Sequence, residues 1–239
     1  MLPSFPNSFW WRRVVEYLRL LEEQKRQAEW PDFFDNAREK FRNGPGREVW
    51  RDVEGVTTVC VHQTGCEFGF SKKLAKVLML EYGITQEEAD RMALHHRFYK
   101  TPYHVLALRN GDVLWNNDPR WYTYGGRRCN SFSIHLAIEG LYPSGKNSPW
   151  DEFMIATAQD AFTLAVNKSR SLGCNIRAVT AHRVWSGSRL LDPGEAIWHD
   201  AIAPKMGELS LIESMAGPDD GGKRIPDGWF GDHRPHIEE

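Results

Sequence analysis

Four cysteines are few for a chain of 239 residues, and Cys60, Cys66, Cys129 and Cys174 include no Cys-x-x-Cys pair. Buried free thiols are therefore the expectation, since Cys60 sits inside an apolar run. No apolar stretch approaches the roughly 20 residues that span a bilayer. The opening Met1-Leu2-Pro3-Ser4-Phe5-Pro6 has no basic region ahead of an apolar one, so no secretory signal is read. The expected setting is the cytoplasm, with release by lysis or by a dedicated export machine as the other route. Bulk charge is also missing. A net charge of -2 argues against a nucleic-acid binder driven by electrostatics. No internal repeat is visible. What the chain does have is 41% hydrophobic residues, enough for a sizeable core, and ten Trp, which serve either that core or an aromatic groove facing carbohydrate.

Periodicity organises the chain into three parts. Residues 8–29 read as a helix capped by Ser8, with Trp10, Trp11, Val14, Leu18 and Leu21 on one stripe and Arg12, Arg13, Arg19, Glu22, Glu23 and Arg26 around it. Such a helix packs on its own domain or, through its aromatic stripe, on a protein partner or a membrane surface. Asn43-Gly44-Pro45-Gly46 then marks a boundary. The expected division is a helical extension at 1–46, a main domain at 47–210 and a Gly-, Pro- and Asp-rich tail at 211–239, irregular or arm-like from Gly217. Within the main domain, helices are expected at 71–82, 86–98, 148–172 and 195–205. Thr85 and Glu88 form a capping box for the second, and Ser148-Pro149 opens the third. Strands are expected at 56–62, 103–108, 112–115, 133–138 and 176–182. Alternating strands and helices imply an α/β fold, a mixed central sheet flanked by helices.

Three residues stand where one metal could collect them. His62 ends the β-branched run Val56-Thr57-Thr58-Val59-Cys60-Val61, and His182 ends Ile176-Arg177-Ala178-Val179-Thr180-Ala181. Asp192 opens the turn Asp192-Pro193-Gly194. Two imidazoles and a carboxylate leave a zinc ion one open position, the arrangement of a hydrolytic site. The structural alternatives are two strand-end histidines and an Asp that caps the following helix.

Four segments, in order, give these residues a context. Val61-His62-Gln63-Thr64, Pro102-Tyr103-His104-Val105-Leu106-Ala107-Leu108, Asn130-Ser131-Phe132-Ser133-Ile134-His135-Leu136-Ala137-Ile138-Glu139-Gly140, and Thr180-Ala181-His182-Arg183 with Asp192-Pro193-Gly194 resemble the motifs of zinc N-acetylmuramoyl-L-alanine amidases. That family includes phage lysozyme-type amidases, bacterial peptidoglycan-recycling amidases and animal peptidoglycan recognition proteins. The resemblance covers roughly residues 50–205. It implies an amidase or peptidoglycan-recognition fold, zinc held by His62, His182 and Asp192, and peptidoglycan or a muropeptide as partner. It also implies Tyr103 as a hydrogen-bond donor to the tetrahedral oxyanion. His104 matches a position that is structural in the family.

Two positions depart from the family pattern. The acidic residue of its Ile-Glu-Leu segment falls on Ala137, and the polar residue two places before the third ligand falls on Leu190. Substitutes are at hand. Strand alternation puts His135, Ala137 and Glu139 on one face, roughly 6.6–7 Å apart at each step, and Arg189 adjoins Leu190. His135, Glu139 and Arg189 are therefore candidate catalytic residues alongside Tyr103. Three functions follow as expectations: a zinc amidase that cuts between muramic acid and the first L-alanine of the stem peptide, a binding module of the same fold that no longer cuts, and an assembly protein acting through its N-terminal helix and tail.

Overall fold

A computed structural model describes residues 51–65, 72–98, 101–123, 125–142, 149–214, 218 and 221–233. The expected helix at 8–29 and the loop at 43–46 lie outside them. The described residues belong to one unit, Glu48–Glu239. Its strands are β1 (Thr58–Gln63), β2 (Val105–Ala107), β3 (Val113–Trp115), β4 (Ser133–Ile138), β5 (Ala178–Ala181) and β6 (Ile212–Glu213). They form one six-stranded sheet in the order β3-β2-β4-β1-β5-β6. Every neighbouring pair is parallel except the β2–β3 hairpin. The hairpin turns at Arg109-Asn110-Gly111, where Gly111 takes a φ of +88° that side chains resist.

All six residues of β1 and all six of β4 are buried, as expected of parallel strands covered on both faces. One face carries Val59, Val61, Ile134, Leu136 and Ile138 into the main core. There they join Ala158, Ala161, Phe162 and Ala165 of helix α3 (Glu152–Ser171). That helix crosses β2, β3 and β4. It starts later than its sequence suggests. Asp151, not Ser148, is the cap, its carboxylate accepting the N–H of Met154 at 2.9 Å. An acidic cap satisfies a free N–H and complements the helix dipole together, and Pro149 lies ahead of the helix.

Helices α1 (Lys72–Tyr82) and α2 (Gln86–Phe98) pack on each other. The capping box is made: Glu88 N–H donates to Thr85 Oγ1 at 3.2 Å, and Thr85 N–H donates to Glu88 Oε2 at 3.0 Å. Helix α4 runs through Glu195–Ile197, a wider π turn at Trp198–Ile202, and Ala203–Glu208.

The segment read as a tail contributes to this unit. Ile212 and Glu213 add the edge strand beside β5. Trp229 and Phe230 are buried in the main core, with Phe230 edge-on to Trp198 at 5.7 Å. Two large aromatic side chains outweigh the Gly-rich composition around them. A half-buried arginine ties down the loop before β4. Arg51 donates to the carbonyls of Pro119, Asn130 and Ser133, and burial pushes its pKa down to about 10.

Candidate metal centre

Parallel pairing explains how residues 120 positions apart come together. β1 lies between β4 and β5, with Val61 opposite Ala181 and Leu136. One step further on β1 is His62, beside the end of β5 where the chain turns into His182. The turn at His182–Val184 and another at Gly187–Arg189 then bring Asp192 back, and Arg183 N–H donates to Asp192 O at 2.9 Å.

Three ligating atoms converge. His62 Nδ1 lies 3.0 Å from His182 Nδ1, His182 Nδ1 lies 2.9 Å from Asp192 Oδ2, and His62 Nδ1 lies 3.9 Å from the same oxygen. Ligand atoms on a tetrahedral zinc stand roughly 3.3 Å apart, for bonds of about 2.0–2.1 Å. The triangle brackets that spacing. The donor set of two imidazoles and one carboxylate also suits zinc. Hydrogen placement agrees. The carboxylate only accepts, so the contact to Asp192 puts a hydrogen on His182 Nδ1. His62 Nδ1 then faces the same point with its lone pair, and the His62 hydrogen sits on Nε2. One proton fills the space where three donors to a cation meet.

His62 is fully buried, whereas the side chains of His182 and Asp192 are 11% and 9% exposed. The centre is therefore approached from the His182–Asp192 edge. Burial first, and then the neighbouring His182, His135 and Arg189, hold the His62 pKa well below its ordinary value. An imidazole kept neutral is the form that binds metal.

The other residues singled out from sequence have distinct places. The ring of Tyr103 is 5.2 Å from that of His62. Ala137 is the register partner of His62 on β4, and it belongs to an apolar cluster with Leu106, Leu108 and Leu114. His135 lies fully buried with Nδ1 3.0 Å from His62 Nε2. Glu139 accepts the N–H of Arg109 at 3.0 Å. Arg189 is exposed at the end of the turn that leads to Asp192. His104 accepts the backbone N–H of His135 at 2.9 Å through Nδ1, and so braces β2 against β4.

Sequence reasoning missed Gln63. Its backbone N–H donates to Asp192 Oδ1 at 2.7 Å, and its side chain donates to Leu191 O and accepts from Tyr142 N–H, both at 2.7 Å. The residue after His62 thus fixes Asp192. No side-chain pattern marks a bond made by a backbone amide. The pairing of Cys60 with Cys129 and His135 was also missed, because three separated segments contribute to it.

No family model matches this sequence, and no curated protein matches it. Among solved structures, the chain is similar to the Ph2119 endolysin from a Thermus scotoductus bacteriophage, at 14% identity over 72% of this chain and 96% of that one, with a TM-score of 0.44. It is also similar to bumblebee PGRP-SA, at 12% identity over 73% of this chain and 95% of that one, with a TM-score of 0.42. A third is the N-acetylmuramoyl-L-alanine amidase LysC from Clostridium intestinale URNW, at 12% identity over 70% and 95%, with a TM-score of 0.40. Identities this low leave the chemistry to be argued from the residues themselves.

Proposed function

We propose that this protein is a zinc-dependent N-acetylmuramoyl-L-alanine amidase acting on peptidoglycan or muropeptides. The observation that carries the reading is the convergence of His62 Nδ1, His182 Nδ1 and Asp192 Oδ2 at 2.9–3.9 Å. Zinc bound there supplies a Lewis acid and lowers the pKa of a coordinated water to about 7. The chain's own residues do the rest. Gln63 holds the Asp192 carboxylate through Oδ1, leaving Oδ2 for the centre. His135 accepts from His62 Nε2–H and so keeps the lone pair of Nδ1 turned inward, the orienting role that outer partners of metal-bound histidines play. Tyr103, beside His62, supplies a phenol to hydrogen-bond the oxyanion of the attacked carbonyl. Arg189 adds positive charge near the substrate edge. Glu139, bonded to Arg109 N–H, shapes the end of β4.

The test is mass spectrometry of purified peptidoglycan digested with the zinc-loaded protein. Free stem peptides with a new L-alanine amino terminus and intact glycan are expected. New reducing ends would mean a glycosidase and would reject the reading.

One observation favours a second reading, a muropeptide-binding module that does not cut. Ala137, next to His62 in register, lies in an apolar cluster and offers no base. On that reading wild-type protein binds muropeptide without turnover, and the double substitution Ala137→Glu, Leu190→Lys creates hydrolysis.

A further inference from the structure

A second group of ligating side chains lies on the same sheet face. Cys60 on β1 and His135 on β4 are register partners, and Cys129 reaches them from the turn at Arg127–Ser131. One ligating atom from each lies within 4.8 Å of the others, and all three residues are 0% exposed. Both cysteines are free thiols. His135 adds an independent sign of a missing ligand, for its Nε2 is buried with no hydrogen-bond partner. The backbone is drawn in over the group. A Cβ on Gly126 would lie 2.6 Å from Cys129 Sγ and 3.0 Å from His135 Cε1, and one on Gly125 would lie 2.6 Å from His135 Cγ. Only glycine lets this loop close over thiol and imidazole together.

We infer that Cys60, Cys129 and His135 form a second metal site, selective for a thiophilic cation such as zinc or copper(I). Two sulfurs and one imidazole are a soft set that magnesium and calcium do not favour. Binding a divalent ion releases both thiol protons, and two thiolates neutralise the ion, so no net charge is buried. The site meets the first one where His62 Nε2 stands 3.0 Å from His135 Nδ1. With His62 Nδ1 turned to the first centre, His62 donates across that contact and the His135 hydrogen sits on Nε2. An ion at His135 Nε2 needs the contact reversed, which puts the His62 hydrogen on Nδ1, facing the first centre. The two sites therefore oppose each other.

Cobalt(II) added to the reduced full-length protein tests this, because thiolate ligands give a near-ultraviolet charge-transfer band that imidazole and carboxylate do not. His182→Ala, which cripples the first centre, should bind one cobalt per chain with that band. Adding Cys129→Ala or Cys60→Ser should remove the band, and adding Cys66→Ser or Cys174→Ser should leave it. Zinc held at the first centre of the wild type should weaken the sulfur-bound cobalt several-fold. No sulfur band in His182→Ala, or a band that survives loss of Cys129, would overturn the site. Cobalt affinity at sulfur indifferent to zinc would overturn the opposition. Should His182→Ala not fold, wild-type protein decides the matter, with the sulfur band expected in the second equivalent of cobalt and its absence at two equivalents overturning the site. None of these readouts depends on peptidoglycan cleavage, so they stand apart from the amidase reading.

Discussion

Replacing Asp192 by Ala removes two buried hydrogen bonds with one cut, and the cost can be worked from its neighbours. Oδ1 accepts Gln63 N–H at 2.7 Å and Oδ2 accepts from His182 Nδ1 at 2.9 Å. The side chain is 9% exposed, so water restores little of what is lost. An orphaned buried donor costs about 1–3 kcal/mol. With two donors orphaned and some relaxation at the exposed edge, about 2–4 kcal/mol is expected in metal-free protein. For a chain of this size that lowers Tm by about 4–16 °C. The larger effect is on linkage. A ligand at 100 times its Kd stabilises the folded state by about 2.7 kcal/mol. In a Cys129→Ala background, which takes the sulfur site out of the reading, the protein should therefore gain about 5–11 °C when zinc is added after chelation, and adding Asp192→Ala should leave little or no gain. Thermal unfolding followed by circular dichroism, with and without chelator, reads both numbers. A zinc-induced rise that persists undiminished when Asp192→Ala is added to Cys129→Ala would refute the proposed centre, whatever the apo stability.

The remaining expectations concern single groups. Tyr103→Phe keeps the ring beside His62 and deletes the hydroxyl, so turnover should fall about 100-fold or more with zinc content unchanged; equal turnover would return Tyr103 to packing. His135→Ala strips the acceptor from His62 Nε2 and should weaken zinc binding about 10–100-fold, measured by competition with a chelating dye. Metal-free protein should lose stability as pH falls below about 6.5. Burial holds the pKa values of His62 and His135 well below that ordinary value, so the unfolded chain takes up protons there and the folded one does not. The slope approaches about 1.4 kcal/mol per pH unit for each ring that stays uncharged. A pH-independent urea midpoint between pH 7 and 5 would contradict this.

Much of the frame is legible in the chain because it rests on local rules. Alternation and β-branching mark β1, β4 and β5, the Thr85–Glu88 pair marks the start of α2, and Asn110-Gly111 marks the hairpin. His62, His182 and Asp192 are readable as a group because each stands at the end of a strand or the start of a turn, where a parallel sheet gathers its loops. The rest depended on which strands became neighbours. Placing β1 between β4 and β5 sets Ala137 beside His62, turns His135 onto the second nitrogen of His62 and pairs Cys60 with His135. None of these contacts leaves a spacing in the sequence, since the partners are joined by register and not by local periodicity. Gln63 holds Asp192 through a backbone N–H that every residue but proline carries. Trp229 and Phe230 are buried although their segment reads as a tail, because burial of two aromatic rings is decided by the surface they meet and not by the glycines around them. Most elements and all the donor types follow from local pattern in the chain, whereas which donors share a point in space follows from strand order, which no local pattern fixes.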